Sequence, residues 1–171
     1  AARFTRSLED SRGTGWERWR TLADDPVRSE HMSAVQSVAG VVDQRFRADE
    51  IDNLVVLGIG GSALGNIALQ AALNPATWNL IPREQRSGPR HFVLDNVDPS
   101  AFNSVMALCA PERTVFNVIS KSGETAETAA QFMIIRDLLA SRLGDRARDH
   151  VVAITDPQQG TMRRICDEAG Y

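Results

Sequence analysis

The fold is decided by the stretch Leu54-Val55-Val56-Leu57-Gly58-Ile59-Gly60-Gly61-Ser62-Ala63-Leu64-Gly65. Its first four residues are all apolar, which is typical of a buried strand. Four glycines follow within eight residues, and an alanine- and leucine-rich run from Ser62 to Leu73 predicts a helix that ends at Asn74-Pro75. The chain therefore passes from a strand through the glycine segment (residues 58–65) into a helix.

The same order of strand and helix recurs along the rest of the chain. Short apolar runs predict further strands at residues 91–95, 115–119 and 151–154. Helices are predicted after them, over residues 99–110 with Asp98 or Ser100 as the cap, 124–143 and 157–168. Strands that are apolar on both faces and alternate with helices indicate a parallel sheet covered on both sides. We therefore predict an α/β fold, a three-layer αβα doubly wound parallel sheet.

The only lysine of the chain lies in Ser120-Lys121-Ser122-Gly123-Glu124-Thr125, the serine-lysine segment (residues 120–125), directly after the third predicted strand. All eighteen other basic residues are arginine. Hydroxyl and backbone N–H groups at a helix start donate to anionic oxygens, and the helix dipole favours negative charge there. Lysine adds a mobile cation without the planar fork of arginine. The segment therefore has the chemistry of a phosphate site, and the alternative is a solvated lysine in an ordinary loop.

The two segments are expected to meet at one edge of the sheet. Open parallel sheets bind ligands at the carboxyl ends of their strands, where the strand order reverses. The glycines allow a ligand to approach the backbone closely, and Ser62 at the helix start either donates to an anion or simply caps the helix. If the first and third strands are neighbours, both segments face the same ligand.

A dinucleotide site is the competing interpretation of the glycine segment. Gly58-x-Gly60-x-x-Ala63 matches the fingerprint of such sites between a strand and a helix. The fingerprint also expects an acidic residue about twenty positions further on. The first acid at a predicted strand end is Asp95, well beyond that spacing, so the match is incomplete and we disfavour this interpretation.

Composition excludes several classes of partner. The net charge is −3, and arginine is mixed with aspartate and glutamate along the chain. No basic stripe is present, so we expect neither nucleic acid nor a membrane surface as a partner. No apolar run is long enough to span a bilayer and no secretion signal is recognisable, so we expect a cytoplasmic protein. Cys109 and Cys166 are far apart and lack a CxxC pattern, which predicts two reduced thiols rather than a disulfide or zinc site.

Residues 1–50 differ from the rest. Apolar residues at helical spacing, from Met32 to Phe46, predict one amphipathic helix over residues 29–47. Trp16 and Trp19 belong to shorter helical pieces before it. We therefore divide the chain into an N-terminal helical lead-in segment (residues 1–50) and an α/β domain (residues 51–171).

Taken together, the glycine and serine-lysine segments resemble the sugar isomerase (SIS) domain, and most closely the first such domain of the glucose-6-phosphate isomerase family. The resemblance covers roughly residues 51–171 and implies a sheet with strand order 2-1-3-4-5. It also implies that the sugar phosphate is held by residues of both segments: Gly61, Ser62, Ser120, Lys121, Ser122 and Thr125. Glu127 matches a family glutamate that orients the catalytic histidine.

The resemblance implies reversible interconversion of glucose 6-phosphate and fructose 6-phosphate, through a base that moves a proton between two carbons. It implies a small-molecule sugar phosphate as the partner, no metal or redox cofactor, and a homodimer. The chain stops at Ala169-Gly170-Tyr171, where a further strand would begin. We therefore expect a fragment that lacks its last strand and is inactive alone. The alternatives are a phosphosugar-sensing module without turnover, or an amino-sugar or mannose phosphate isomerase domain.

Two departures from the family pattern stand out. The family commonly has threonine at the position of Glu124, and Ser-Gly-Glu-Thr is similar to the amino-sugar isomerase domains. The family's later Gly-Gly-Arg motif, general-base glutamate, ring-opening histidine and C-terminal lysine have no counterpart here. His31, His91 and His150 do not replace that histidine, because the first lies in the N-terminal helix and the others begin strands, at the edge of the sheet opposite the ligand.

Overall fold

Two compact units make up the computed structural model, which describes residues 2–171 except for the side chains of residues 2, 4, 16–18 and 23. One unit extends to Asp43, and the other comprises Gln44–Tyr171. The first contains α1 (Ala2–Asp10), a run of 3₁₀ turns (Gly15–Asp24) and most of α2 (Arg28–Arg47). The predicted short helical pieces around Trp16 and Trp19 correspond to this run of 3₁₀ turns, which contains both residues.

Helix α2 agrees with the predicted helix to within one residue. Its apolar side chains nevertheless remain exposed, with Met32 at 46%, Val35 at 60% and Val38 at 44% of their full accessibility. Only Phe46, near its end, is buried. The helical spacing thus predicted the helix correctly but not the burial of its apolar stripe.

Four parallel strands form the sheet of the second unit: β1 (Asn53–Leu57), β2 (Arg90–Leu94), β3 (Thr114–Ser120) and β4 (Val151–Thr155). The helices that follow them are α3 (Gly61–Leu73), α4 (Pro99–Leu108), α5 (Ala126–Leu143) and α6 (Thr161–Ala169). The strand order is β2-β1-β3-β4. The α/β prediction is confirmed, and the first four strands follow the order that the resemblance implies.

The helix starts show where sequence patterns are reliable. Asp98 caps α4 as predicted, because its Oδ1 accepts the N–H of Ser100 at 2.8 Å. The predicted start of α6 at Pro157 is wrong by four residues. Asp156 Oδ1 accepts the N–H groups of Gln158 and Gln159, which forms a turn, and Gly160 has a φ of 98°, so the helix begins only after it.

The larger core lies on the face of the sheet that α4, α5 and α6 cover. Most of its fully buried members come from β1, β3 and α5, and the others are Cys109 after α4 and two residues of α6: Val55, Leu57, Phe116, Val118, Phe132, Ile135, Leu139, Cys109, Met162 and Cys166. Successive strand residues point to opposite faces. Val93 of β2 accordingly faces the other side, where it lines a cleft with Ile67 and Ala71 of α3.

The amino end of the sheet is held by an ion network. Arg113 Nε donates to Asp52 Oδ2 at 2.7 Å, and Arg83 Nη1 donates to Asp52 Oδ1. The hydrogen bond from Arg113 is the main cause that lowers the pKa of Asp52. The Arg83 guanidinium also lies 4.3 Å from the centre of the Phe46 ring. These contacts join the residues before β1 and β3 at the edge remote from the candidate ligand.

The outer edge of β2 is closed by a side chain. Asn79 Nδ2 donates to the carbonyl of His91, and the N–H of His91 donates to Asn79 Oδ1, both at 2.8 Å. Trp78 Nε1 donates to the Pro89 carbonyl at 2.9 Å and secures the same turn. The Asn79 amide thus pairs with His91 as the backbone of a further strand would.

Candidate functional site

The glycine and serine-lysine segments emerge at the same edge of the sheet. β1 and β3 are neighbours in parallel register, with Leu57 opposite Val118. The glycine segment follows Leu57 directly, and the serine-lysine segment begins with Ser120 at the end of β3. The strand order therefore brings together the six residues expected to hold a phosphate.

In the glycine segment, the chain turns at Gly60 to start α3. Gly60 has a φ of 57°, which side chains rarely adopt, and it occupies the N-cap position without a side-chain hydrogen bond. A Cβ added at Gly61 would meet nothing within 4 Å, so there is open space next to the backbone. The first turn of α3 is thus accessible to a ligand.

Ser62 does not cap α3. It is the second residue of the helix, half-buried, and its hydroxyl has no hydrogen-bond partner among the described residues. The alternative in which Ser62 serves only as a cap is therefore wrong. A hydroxyl donor without a partner remains available at this edge of the sheet.

The serine-lysine segment is built around Ser120. This residue is only 2% exposed, and its Oγ accepts the N–H of Gly123 at 3.1 Å and donates to Thr125 Oγ1 at 3.4 Å. Ser122 Oγ accepts the N–H of Glu124 at 3.2 Å. Thr125 is the N-cap of α5 but makes no side-chain cap hydrogen bond. Internal hydrogen bonds thus shape the segment.

Lys121 is exposed, and its ammonium forms neither a hydrogen bond nor an ion pair with a described residue. Its positive charge helps to lower the pKa of Asp156, although the N–H groups of Gln158 and Gln159 are the larger causes. Glu124 is exposed and likewise has no side-chain partner in the described part of the chain. Lys121 is therefore a cation that is free to meet an anion.

Backbone donors complete the arrangement. The N–H groups of Ala126, Glu127 and Thr128, in the first turn of α5, have no acceptor among the described residues. The positive end of the helix dipole lies at the same place. Free N–H groups, hydroxyls and one ammonium at a single sheet edge can hold a compact anion with several oxygens.

Glu127 lies in the first turn of α5, exposed and without a hydrogen bond to a described residue. The structure places no histidine of the second unit beside it, because His91 lies in β2 near its start and His150 precedes β4, at the amino ends of the strands. Burial lowers the pKa of both imidazoles. His150 Nδ1 bonds to the Thr114 carbonyl at 2.7 Å, which is a structural role.

The segment after β4 also lies at this edge, although the sequence patterns did not assign it to the site. This is the Asp-Pro segment (residues 155–160), Thr155-Asp156-Pro157-Gln158-Gln159-Gly160, and it begins with the last residue of β4, the strand paired with β3. The sequence signal that could have indicated this segment is the acid Asp156 and the glycine Gly160 shortly after the fourth strand. The sequence pattern places Pro157 in the predicted helix, which hides this segment.

Two kinds of feature are absent from the described residues. They contain no group of three or more histidine, cysteine, aspartate or glutamate side chains that could hold a metal ion. No helix within them combines the length and the apolar character needed to cross a membrane.

Comparison with known sequences gives consistent matches. The family model of phosphoglucose isomerase matches residues 29–168. The glucose-6-phosphate isomerase of Carboxydothermus hydrogenoformans is 41% identical over 141 residues, and that of Rubrobacter xylanophilus is 42% identical over 155 residues. These matches cover 82% and 86% of this chain but only 29% and 34% of the relatives. The chain thus spans about a third of their length.

Solved structures lead to the same family. A hypothetical protein from Thermus thermophilus matches 96% of this chain, and 35% of its own, with a TM-score of 0.70 and 32% identity. A glucose-6-phosphate isomerase from Chlamydia trachomatis matches 76% of this chain, and 24% of its own, with a TM-score of 0.53 and 27% identity. Because the family model covers well over half of the residues, this chain belongs to the phosphoglucose isomerase family.

Proposed function

We propose that this chain is the phosphate-binding part of an isomerase that interconverts glucose 6-phosphate and fructose 6-phosphate. The observation that carries the proposal is the convergence of donors without partners on one sheet edge. The ammonium of Lys121, the hydroxyl of Ser62 and the free N–H groups of α5 all belong to segments that follow neighbouring strands. A sugar phosphate carries a charge of about −1.5 to −2 near neutral pH and accepts several such hydrogen bonds.

Six residues form the proposed phosphate cradle, and each has its own role: Gly61, Ser62, Ser120, Lys121, Ser122 and Thr125. Gly61 gives the phosphate access to the backbone, and Ser62 donates from its hydroxyl. Lys121 supplies the positive charge. Ser122 and Thr125 contribute hydroxyls beside the N-terminal turn of α5, and Ser120 holds the segment in shape from below.

Holding the phosphate contributes to catalysis although the phosphate does not react. Binding energy from a remote group can position the reacting carbons. Glu127 would orient the histidine that opens the sugar ring, and that histidine and the general base belong to parts of the enzyme outside these residues. We therefore expect the 171-residue chain to bind the sugar phosphate without isomerising it.

The rest of the proposal concerns the whole protein. Residues 1–50 serve as a helical lead-in segment and residues 51–171 as the phosphosugar-binding domain of a cytoplasmic homodimer. A phosphosugar sensor would need the same cradle and no base. Isomerase activity of the full-length protein, measured with glucose 6-phosphate, separates the two.

Replacing Lys121 tests the cradle. Lys121→Ala should weaken the affinity for glucose 6-phosphate by about 1.5–3 kcal/mol, the range for a hydrogen bond to a charged group. Arg146→Ala is the matched control, because Arg146 is also exposed and cationic but precedes β4 at the opposite edge of the sheet. Affinities are measured by titration calorimetry. Equal affinities of the wild type and Lys121→Ala would refute the assigned role.

A further inference from the structure

The Asp-Pro segment contacts the serine-lysine segment where β4 and β3 end. Thr155 lies opposite Ser120 in the parallel register. Its Oγ1 donates a hydrogen bond to the Ser120 carbonyl at 2.8 Å. The first residue of the serine-lysine segment is thus fixed from the neighbouring strand by a side chain as well as by the sheet.

Gly160, at the other end of the Asp-Pro segment, contacts the same loop. A Cβ added to Gly160 would lie 2.5 Å from the carbonyl oxygen of Ser122, closer than real Cβ atoms come to a backbone atom. The φ of Gly160 is 98°. Both observations require glycine here, and the close approach makes the position of Ser122 depend on Gly160.

The serine-lysine segment also packs against the start of α6, which follows the Asp-Pro segment. A Cβ added to Gly123, which has a φ of 70°, would lie 2.7 Å from the backbone nitrogen of Met162 in the first turn of α6. Met162 is itself only 2% exposed. The serine-lysine segment therefore fits closely against Gly160 of the Asp-Pro segment and against the start of α6 directly after it, with a glycine at each contact.

The Asp-Pro segment has its own internal support. Asp156 Oδ1 accepts the N–H groups of Gln158 at 2.8 Å and Gln159 at 3.0 Å. This turn sets the path of the chain from Thr155 to Gly160. A segment fixed in this way can hold another loop in place.

We propose that the Asp-Pro segment braces the phosphate cradle, with Gly160 and Thr155 as positioning residues that set the shape of the serine-lysine segment through the Ser122 and Ser120 carbonyls. The inference rests on the proposed function for its effect on ligands, but the brace itself is a property of the free protein. Catalytic sites lose much of their effect when a binding group shifts by about 1 Å. The brace keeps the donors of the cradle in register before the ligand arrives.

Gly160→Ala tests the brace, with Gly144→Ala as the matched control. Gly144 also has a positive φ, at 55°, but it ends α5 and a Cβ there would meet nothing within 4 Å. Gly160→Ala should weaken the affinity for inorganic phosphate and for glucose 6-phosphate about ten- to hundredfold. Gly144→Ala should leave both affinities within about twofold, although it introduces a similar backbone strain.

Thr155 provides a second test in case Gly160→Ala does not fold. Thr155→Val removes the hydroxyl that donates to Ser120 and keeps the shape, so the affinity for phosphate should fall about two- to tenfold. Thr155→Ser retains the hydroxyl and should restore the affinity. Equal affinities of the valine and serine variants would overturn the role of Thr155.

A measurement without ligand separates the brace from the proposed function. Amide hydrogen exchange of residues 121–125 should be faster in Gly160→Ala than in Gly144→Ala, and faster in Thr155→Val than in Thr155→Ser. If the wild type binds neither phosphate nor the sugar phosphate, the proposed function is wrong and the exchange rates still decide on the brace. If the wild type binds and the variants match their controls in affinity and exchange, the brace is wrong and the proposed function stands.

Discussion

Ser62 and Ser120 are both assigned to the phosphate cradle, and their environments predict opposite effects on stability. The Ser62 hydroxyl has no partner among the described residues, whereas Ser120 is buried and its Oγ accepts the N–H of Gly123 at 3.1 Å. Replacing each with alanine therefore separates a residue that only binds ligand from one that also maintains the loop.

The magnitudes follow from these contacts. Ser62→Ala removes no internal hydrogen bond and places a better helix former in α3, so the free energy of unfolding should be unchanged or slightly higher. It should weaken phosphate binding by about 1.5–3 kcal/mol, or about 10- to 150-fold. Ser120→Ala leaves the buried N–H of Gly123 without an acceptor, which costs about 1–3 kcal/mol of stability. Its affinity should also fall, because the loop loses its shape.

Urea unfolding and calorimetric titration with inorganic phosphate measure the two effects on the same samples. Ser62→Ala should change only the affinity, and Ser120→Ala should change both quantities. A loss of stability without a loss of affinity in Ser62→Ala would show that Ser62 is structural. Unchanged stability of Ser120→Ala would contradict the buried hydrogen bond on which the shape of the segment depends.

Two further predictions concern the folded unit itself. Burial lowers the pKa of His150 and of His91. As the pH falls, the unfolded chain therefore binds protons before the folded chain does. The free energy of unfolding should keep its full value above about pH 6.5 and decrease below it. Urea unfolding at about pH 7.5 and about pH 5.5, on either side of that value, should show this loss, and His150→Gln should reduce it; equal stabilities at both pH values would contradict the shift. Burial also raises the pKa of Cys109 to about 11, so a thiol reagent at about pH 8 should label Cys109 in urea but hardly in the folded chain, and rapid labelling of the native thiol would contradict its burial.

Local patterns were sufficient for most of the fold. The strands were predictable because runs such as Leu54–Leu57 and Val115–Ile119 are apolar on both faces, and Asp98 was predictable as a cap because its side chain acts on a backbone group two residues away. The start of α6 was not predictable in this way. Pro157 is typical of a first helical turn, but Asp156 forms a turn there and the positive φ of Gly160 delays the helix.

The parts of the candidate site that the sequence did not reveal depend on contacts between distant residues. Lys121 and Ser62 stood out through residue type and position after a strand. The contact of Thr155 with Ser120 joins the ends of two strands, and that of Gly160 with Ser122 joins the loops that follow them. Neither contact follows a spacing rule in the sequence. The free hydroxyl of Ser62 could not be predicted from the sequence either. Because the chain turns at Gly60, Gly60 and not Ser62 occupies the N-cap position, and this is known only from the structure.

The pairing of Asn79 with His91 makes the two edges of the sheet differ in how readily they accept a further strand. An exposed edge strand can recruit the backbone of any extended chain, including a misfolded neighbour. At β2 the Asn79 amide already occupies the N–H and carbonyl of His91, whereas β4 has no neighbouring strand on its outer side within the described residues. Extension of the sheet, whether by another part of the polypeptide or by an aggregating molecule, is therefore favoured at β4, next to the segment that contacts the cradle.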